Sequence, residues 1–391
     1  MPKLGLKTNR VIRSPQVLDA FITFLRPRLP LDLQHTHITA DDLLEVLAYA
    51  SVNRVSIEAA RAELDNLPSA NRLREVLVAA LPTRPVLQCA LNTILRQQLP
   101  RCLLKGKRSY TVAIDLTLIP YHGQPQRDKA EVVRGAPKAG TTHFHGYATI
   151  SVVHSKQRYV VALRFIEAGE AMAEIVGKLL DRLKTLGIKL RRLYLDKGFC
   201  ATPVFKRLDR RHIRYVVPIP VRGKSGGVRE LFVGPKGYWT SYTFHSEKYG
   251  AYTVQAVVAR RYTKGRFKRK GVKWFAYAVA GLPPSTPPRQ VFELYRHRFG
   301  IETSYRQMNQ VRARTSTRNP AIRLLLIGLA FILVNLYVTL RESLTSVQQA
   351  KIATAYTWLT LCRLARLLSR AIEQLVGTRA VFQHRPSTLF S

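Results

Sequence analysis

The strongest constraint on the fold is a change of hydrophobic pattern at Tyr110. Up to residue 100 the apolar residues recur at helical spacing, whereas residues 110–120 (YTVAIDLTLIP) are apolar and rich in β-branched side chains. We expect strands at 110–120, 147–154, 159–166, 190–196 and 214–218, with helices at 171–186 and 202–210. This order predicts an α/β fold in which helices flank a mixed sheet.

The residues before this change are expected to form an all-α domain, 1–105, which begins with a flexible basic arm. Thr39 and Asp42 form a capping pattern before an apolar helix, and Ser56 precedes another helical run. In a basic protein such a domain either contacts DNA or is a plain helical bundle, and the sequence leaves both readings open.

The sheet-forming region is interrupted. Residues 106–220 are expected to form the first part of a catalytic core, and 221–286 a β-rich insertion with glycine-rich turns that ends in a proline-rich linker. Residues 287–345 would complete the core with a helix at 290–310. Basic helices and a tail are expected at 346–391.

One apolar run, residues 324–340 (LLLIGLAFILVNLYVTL), is almost long enough to span a membrane. It contains Asn335, it is flanked by Arg323 and Arg341, and no second run resembles it. We therefore expect a buried core helix rather than a membrane span.

Charge is the most unusual property of the composition. Lys and Arg number 63 against 24 Asp and Glu, so the formal net charge is +39. Such an excess repels itself unless a polyanion screens it, and the cations are spread along the whole chain, which predicts a nucleic-acid partner. An acidic membrane surface is the main rival, followed by a solvated surface without a partner.

Several other classes of protein are not indicated. The cysteines lie far apart without a C-x-x-C pair, which suits a reducing cytosol, and no secretory signal follows the basic N-terminus. Nucleotide-binding, zinc-protease and serine-hydrolase motifs are absent from the sequence. His143 and His145 flank a predicted strand, where a structural role is favoured over metal binding.

Three of the scarce acids lie where metal-dependent phosphodiester chemistry would need them. Asp115 is in the middle of a predicted strand, Asp196 ends another, and Glu302 lies on a predicted helix. Converging carboxylates suit Mg²⁺, a hard cation that prefers oxygen ligands. The alternatives are an edge-strand acid facing water, a turn aspartate, and a solvated helix face on which Glu302 pairs with Arg298 and Arg306.

One face of the predicted helix 290–310 carries polar groups around Glu302. At about 100° per residue, that face would hold Tyr295, Arg298, Glu302, Arg306 and Asn309. Glu293 would point about 180° away from Glu302, so both could not face the same metal.

Together these motifs resemble an RNase H-like transposase core, specifically the superfamily named after insertion sequence 4, with its ISH-type branch as one candidate. The Y-(2)-R-(3)-E-(6)-K signature of that superfamily matches Tyr295, Arg298 and Glu302, while Asn309 stands where it has Lys. Its D-x-T and D-[KR]-G-F patterns match residues 115–117 and 196–199. The resemblance covers about residues 110–340.

The resemblance implies a DNA transposase that cleaves transposon ends and catalyses strand transfer. Asp115, Asp196 and Glu302 would bind Mg²⁺, or Mn²⁺ in its place, while Tyr295 and Arg298 would contact phosphates near the cleaved end. Arg306 or Arg312 would substitute for the missing Lys. The partners would be double-stranded DNA of the transposon ends and target, bound by a homodimer at the nucleoid of a prokaryotic cytoplasm and not at a membrane. A nuclease that does not join ends, and a catalytically inactive DNA-binding derivative, remain alternatives.

The predicted insertion has a DNA-binding signal of its own. Residues 260–274 interleave cations with aromatic side chains, a pattern that suits phosphate tracking and base stacking. The candidate contacts are Lys268, Arg269, Lys270 and Trp274, with Trp239 as a second candidate for stacking. The alternative is a solvated hairpin tip.

Overall fold

The computed structural model describes residues 13–125, 129–153, 158–264, 270–296, 298–348 and 359–379; the side chains of residues 263, 264, 270, 299–303 and 343–348 lie outside the description. The described chain divides into two compact units. One is formed by Leu99–Tyr305, and the other by the chain up to Gln98 together with the chain from Arg306 onward. The finer domain boundaries at 105, 220, 286 and 345 stay predictions.

The unit Leu99–Tyr305 is built on a mixed sheet, as the sequence predicts. Its described strands are β1 (Tyr110–Pro120), β2 (Val133–Lys138), β3 (Thr141–Val153), β4 (Arg158–Ile166), β5 (Leu190–Leu195), β6 (Tyr215–Pro218), β7 (Tyr238–Phe244), β8 (Tyr252–Lys264) and β9 (Lys270–Ala280). The strand order is β2-β3-β1-β5-β6-β9-β8-β7, with β4 also paired to β3. The pairs β1 with β5 and β5 with β6 are parallel, and the other pairs are antiparallel.

The strands of the predicted insertion extend the core sheet. β9 pairs with β6 from Tyr215 opposite Ala280 to Pro218 opposite Tyr277, and β8 and β7 follow outward. The β-branched and small residues in the middle of β8 fit this position because they are buried: Val257, Val258 and Ala259 are almost fully enclosed. The insertion therefore shares a sheet with the strands that carry the candidate acids.

The helices of this unit are α6 (Arg101–Lys105), α7 (Met172–Thr185), α8 (Thr202–Arg210), α9 (Pro288–Arg296) and the first part of α10 (Phe299–Gln310). α7 and α8 match the predicted helices at 171–186 and 202–210. α7 buries its apolar face, packs against β3 and β4, and is followed by Gly187 at φ 70°. A residue in the left-handed region closes a helix end at least cost when it is glycine.

The other unit is helical. It contains α1 (Ser14–Leu25), α2 (Ala40–Asn53), α3 (Ile57–Glu63), α4 (Ala70–Ala80), α5 (Arg84–Gln98), α11 (Pro320–Gln348), α12 (Leu361–Val376) and the last part of α10. The predicted capping pattern is confirmed, since Thr39 and Asp42 each accept the other's backbone N–H. Ser56 likewise accepts the Ala59 N–H at the start of α3.

The apolar run at 324–340 lies in α11, which is a buried helix as predicted. Within the described residues, Pro320–Glu342 is the one segment long and apolar enough to cross a membrane, and 89% of its most apolar window is buried inside the protein. α11 packs against α5, where Gly328 leaves room for the side chain of Leu91. Gln98 also donates its side-chain amide to the carbonyl of Ile332 at 3.0 Å.

Candidate active site

Two adjacent parallel strands bring the first two candidate acids together. β1 and β5 pair so that Ile114 lies opposite Leu195. Asp115 is the next residue on β1, and Asp196 is the residue that follows the end of β5. Parallel strands in matching register carry equivalent positions to the same level of the sheet. Because these two strands are neighbours, both acids can reach one point.

Asp115 is buried in the interior of the sheet, with β3 on one side of its strand and β5 on the other. Its carboxylate Oδ1 accepts the backbone N–H of Leu116 at 2.9 Å. An edge-strand acid facing water is excluded by this position. Burial of a carboxylate is costly without a counter-charge or hydrogen bonds, so the groups around Asp115 decide whether it is tolerated.

Arg298 supplies that counter-charge to both acids. Its Nη2 lies 3.3 Å from Oδ1 of Asp115 and 3.6 Å from Oδ1 of Asp196. The Arg298 side chain is only 4% exposed, whereas the Asp196 side chain is 39% exposed. The two carboxylates therefore face one point, which is closed on the Asp115 side and open to solvent on the Asp196 side.

Tyr305 fixes the backbone of β1 at the level of Asp115. Its hydroxyl donates to the Asp115 carbonyl oxygen at 3.0 Å, and the Thr149 hydroxyl donates to Tyr305 at 2.8 Å. Thr149 is the β3 partner of Asp115, so the tyrosine bridges this strand pair. Burial raises the pKa of the Tyr305 hydroxyl well above its usual range, and the nearby Asp115 charge raises it further. The group therefore remains a neutral donor.

Tyr295 fixes the backbone at the end of β5 in a similar way. Its hydroxyl donates to the Leu195 carbonyl oxygen at 3.2 Å, next to Asp196, and its ring packs edge-on against Tyr194. Burial raises the pKa of this hydroxyl far above its ordinary value, although the Arg298 charge opposes the shift. The Tyr295 side chain is buried. Its role as a phosphate contact, which the family resemblance implies, stays a prediction.

The prediction of one continuous helix over 290–310 is wrong. The chain forms α9 and α10, with Arg298 in a turn between them. The Arg298 N–H donates to the Tyr295 carbonyl at 2.9 Å, a three-residue spacing tighter than that of an α-helix. A single helical face running from Tyr295 to Asn309 therefore does not exist. The turn instead directs Arg298 toward the two carboxylates.

Glu293, the other acid of this region, pairs elsewhere. Its carboxylate oxygens lie 2.6 Å from Arg261 and 2.9 Å from Arg296. Desolvation acts to raise the pKa of Glu293, but hydrogen bonds from Arg296 and Arg261 hold that pKa below its usual value. Glu293 is thus a partner of basic groups on β8 and α9.

The remaining predicted site residues are only partly described. Glu302 lies on α10, but its side chain is outside the described residues, as are the Lys270 side chain and all of Lys268 and Arg269. Among the described side chains, no group of three or more metal-ligating residues occurs.

Arg306 and Asn309 are exposed on α10, in the part that belongs to the helical unit. Their predicted roles as DNA contacts stay predictions.

The tryptophans of the insertion are held by neighbouring groups. Trp274 stacks on Phe232 with ring centroids 6.0 Å apart, and the guanidinium carbon of Arg260 lies over the Trp274 ring, 5.6 Å from its centroid. Trp239 donates its indole N–H to the Thr286 carbonyl at 2.7 Å. Both rings are partly exposed, and their roles in base stacking stay predictions.

The two histidines of β3 contact neighbouring side chains of the protein. His145 is buried and packs edge-on against Tyr121 at 5.0 Å. His143 lies next to Thr142, with its Nδ1 3.4 Å from that hydroxyl.

Sequence reasoning missed Tyr305 and the pairing of Arg298 with both acids, because neither has a local signal.

Comparison with known proteins agrees with this geometry. A family model described as "Transposase DDE domain" matches residues 106–336. A solved structure, the piggyBac transposase synaptic complex with hairpin DNA, matches with a TM-score of 0.54 at 12% identity, over 97% of this chain and 84% of that chain. At this identity the likeness shows the fold. No curated protein sequence gives a significant match.

Proposed function

The chain belongs to the transposase DDE domain family, and from that premise we propose that it cleaves one strand at a transposon end and joins the freed end to target DNA. In this reaction water attacks a phosphodiester and releases a 3′ hydroxyl, which then attacks a second phosphodiester. Each step exchanges one P–O bond for another, with no covalent protein intermediate. Strand transfer, in addition to cleavage, is the finer part of the proposal.

The observation that carries the proposal is the convergence of Asp115 and Asp196 on a single cationic group. Both carboxylates lie within 3.6 Å of the same Arg298 nitrogen. A point that attracts a guanidinium between two carboxylates also suits a divalent cation, whose hard charge prefers oxygen ligands. The donor set therefore fits the metal ions that DDE transposases generally use.

We propose Asp115, Asp196 and Glu302 as the metal ligands and Mg²⁺, or Mn²⁺, as the metal. The bound ions would polarise the scissile phosphate and stabilise the charge that develops on it. The protein's own contribution is positioning. Tyr305 and Thr149 hold β1 at Asp115, and Tyr295 holds the end of β5 beside Asp196, so the ligand oxygens keep their spacing as DNA binds.

Double-stranded DNA is the proposed partner. The net charge of +39 favours a polyanion, and the similar solved structure is a transposase complex with DNA. We further propose a homodimer on DNA, membership of the superfamily named after insertion sequence 4, and action at the nucleoid of a prokaryotic cytoplasm. The signature residues Tyr295, Arg298 and Glu302 support the superfamily assignment.

The decisive experiment incubates the full chain with end-labelled transposon-end DNA, an unlabelled plasmid target and Mg²⁺, and resolves the products on denaturing and native gels. We expect both a cleaved end and a labelled plasmid in which that end is joined. Cleavage without joining would contradict strand transfer and favour the nuclease alternative. Binding without either product, with Mn²⁺ as well as Mg²⁺, would favour the inactive DNA-binding derivative.

A further inference from the structure

Arg298 occupies the point on which the two acids converge. Its guanidinium is almost completely buried, and one nitrogen lies 3.3 Å from Asp115 and 3.6 Å from Asp196. The backbone turn between α9 and α10 directs the side chain there. In a buried guanidinium between two carboxylates, each charge lowers the cost of burying the opposite charge.

Two carboxylates that face one point repel each other when no cation lies between them. The guanidinium is permanently charged, so it offsets one of the two negative charges under all ordinary conditions. A divalent cation bound to the same oxygens would offset both. The arginine and the metal therefore compete for one pair of ligands, and both cannot make their shortest contacts with these oxygens at once.

We propose that Arg298 is a built-in counter-ion that stabilises the metal-free site and lowers its affinity for divalent cations. The inference rests on the proposed function, since it takes Asp115 and Asp196 as metal ligands. On metal binding the guanidinium leaves the shared point between the acids. The ring of Tyr295, whose centroid is 5.8 Å from the guanidinium carbon, offers it a contact that does not involve the carboxylates.

The test measures Mn²⁺ binding to the full-length protein without DNA, by calorimetric titration and by the metal-induced shift of the thermal midpoint. Arg298→Gln should bind Mn²⁺ roughly tenfold or more tightly than wild type, because it removes one positive charge from the ligand oxygens. Its metal-free form should be less stable than the wild type. Arg298→Lys, which keeps the charge, should bind Mn²⁺ more weakly than Arg298→Gln.

Arg296→Gln is the matched control. It removes the same charge two residues away, where the guanidinium pairs with Glu293 and is 54% exposed. Its Mn²⁺ affinity should equal that of the wild type. If Arg298→Gln does not fold without metal, Mn²⁺ or the second change Asp115→Asn should restore folding, because either one relieves the repulsion. Failure of both to do so would overturn the inference.

Different results would overturn the counter-ion role of Arg298 and the metal site itself. Equal Mn²⁺ affinities of wild type and Arg298→Gln, or a weaker affinity of Arg298→Gln, would overturn the counter-ion proposal and leave the proposed metal site intact. Absence of Mn²⁺ binding to wild type and to Arg298→Gln, or binding that Asp115→Asn does not weaken, would overturn the metal site itself.

Discussion

Each unit of the molecule buries a carboxylate, and the two carboxylates have opposite surroundings. Asp115, on β1, is 9% exposed and faces Arg298, a buried cation shared with Asp196. Glu45, on α2 of the helical unit, is 8% exposed. Burial alone does not distinguish them, since both side chains are almost equally enclosed.

The difference lies in the neighbouring charges. Burial, together with the like charges of Asp41 and Asp42, raises the pKa of Glu45 to about 7, and Arg26 only partly opposes this rise. Arg26 makes its own short ion pair with Asp41. Glu45 therefore accommodates burial by holding a proton, whereas Asp115 has a cation beside it. The charges that a buried acid faces, and not its burial, therefore distinguish Asp115 from Glu45.

The largest effect should follow from removing the charge of a proposed metal ligand. Asp115→Asn, Asp196→Asn and Glu302→Gln should each lower the single-turnover rate of end cleavage roughly a thousandfold or more, which corresponds to several kcal/mol of transition-state stabilisation. DNA binding, measured by gel shift without metal, should remain near wild type because little phosphate-contacting surface changes. Cleavage within about tenfold of wild type would remove that residue from the site.

Glu293→Gln is the control for this series. It removes an acid of the same region whose partners are Arg261 and Arg296 rather than Arg298. It should leave cleavage near wild type. If Glu302→Gln lowers cleavage and Glu293→Gln does not, the loss is specific to Glu302 and is not shared by the other acid of this region.

A smaller effect, on stability, is expected at Glu45. A carboxyl whose pKa is raised to about 7 in the folded state contributes stability below its unfolded pKa. That contribution is lost as the pH rises through the folded pKa. Glu45→Gln keeps the shape without the charge, so it should stabilise the protein by up to about 3 kcal/mol at pH 8 and change little at pH 4.5.

Urea unfolding followed by circular dichroism at the two pH values measures this difference. Glu58→Gln, an exposed acid of α3 whose side chain is 72% exposed, is the control and should show little pH-dependent gain. An equal effect of Glu45→Gln at both pH values would mean that Glu45 is not neutralised by burial.

The smallest effect should come from the basic residues at 268–270. Changing Lys268, Arg269 and Lys270 to Ala should weaken transposon-end binding and lower the slope of log affinity against log salt by up to about three, one for each lost phosphate contact. Fluorescence anisotropy over a salt series measures the slope. A triple variant with wild-type affinity and slope would make this segment a solvated hairpin tip. The control triple variant, Arg363, Arg366 and Arg370 to Ala on α12, removes the same charge elsewhere.

Much of the fold could be predicted from local pattern. β1 and α8 begin and end at the predicted residues, 110–120 and 202–210, because alternation, β-branching and capping act within a few residues of the chain. The two aspartates could be assigned to one site because strand ends and motif spacing are local as well. The interruption between α9 and α10 could not be predicted, because the helical periodicity of 290–310 continues through it.

By itself the sequence determined the mixed α/β class, the excess of positive charge and the choice of the three candidate acids, each of which depends on residue type and spacing. Only the tertiary structure decided which charges meet. Arg298 reaches Asp115 and Asp196 from positions 183 and 102 residues away along the chain. The like charges near Glu45, Asp41 and Asp42, lie four and three residues before it, whereas the cation that Asp115 faces is distant in the chain. Electrostatic energy depends on distance in space and on burial, and for Asp115 neither quantity is encoded by the neighbouring residues of the chain.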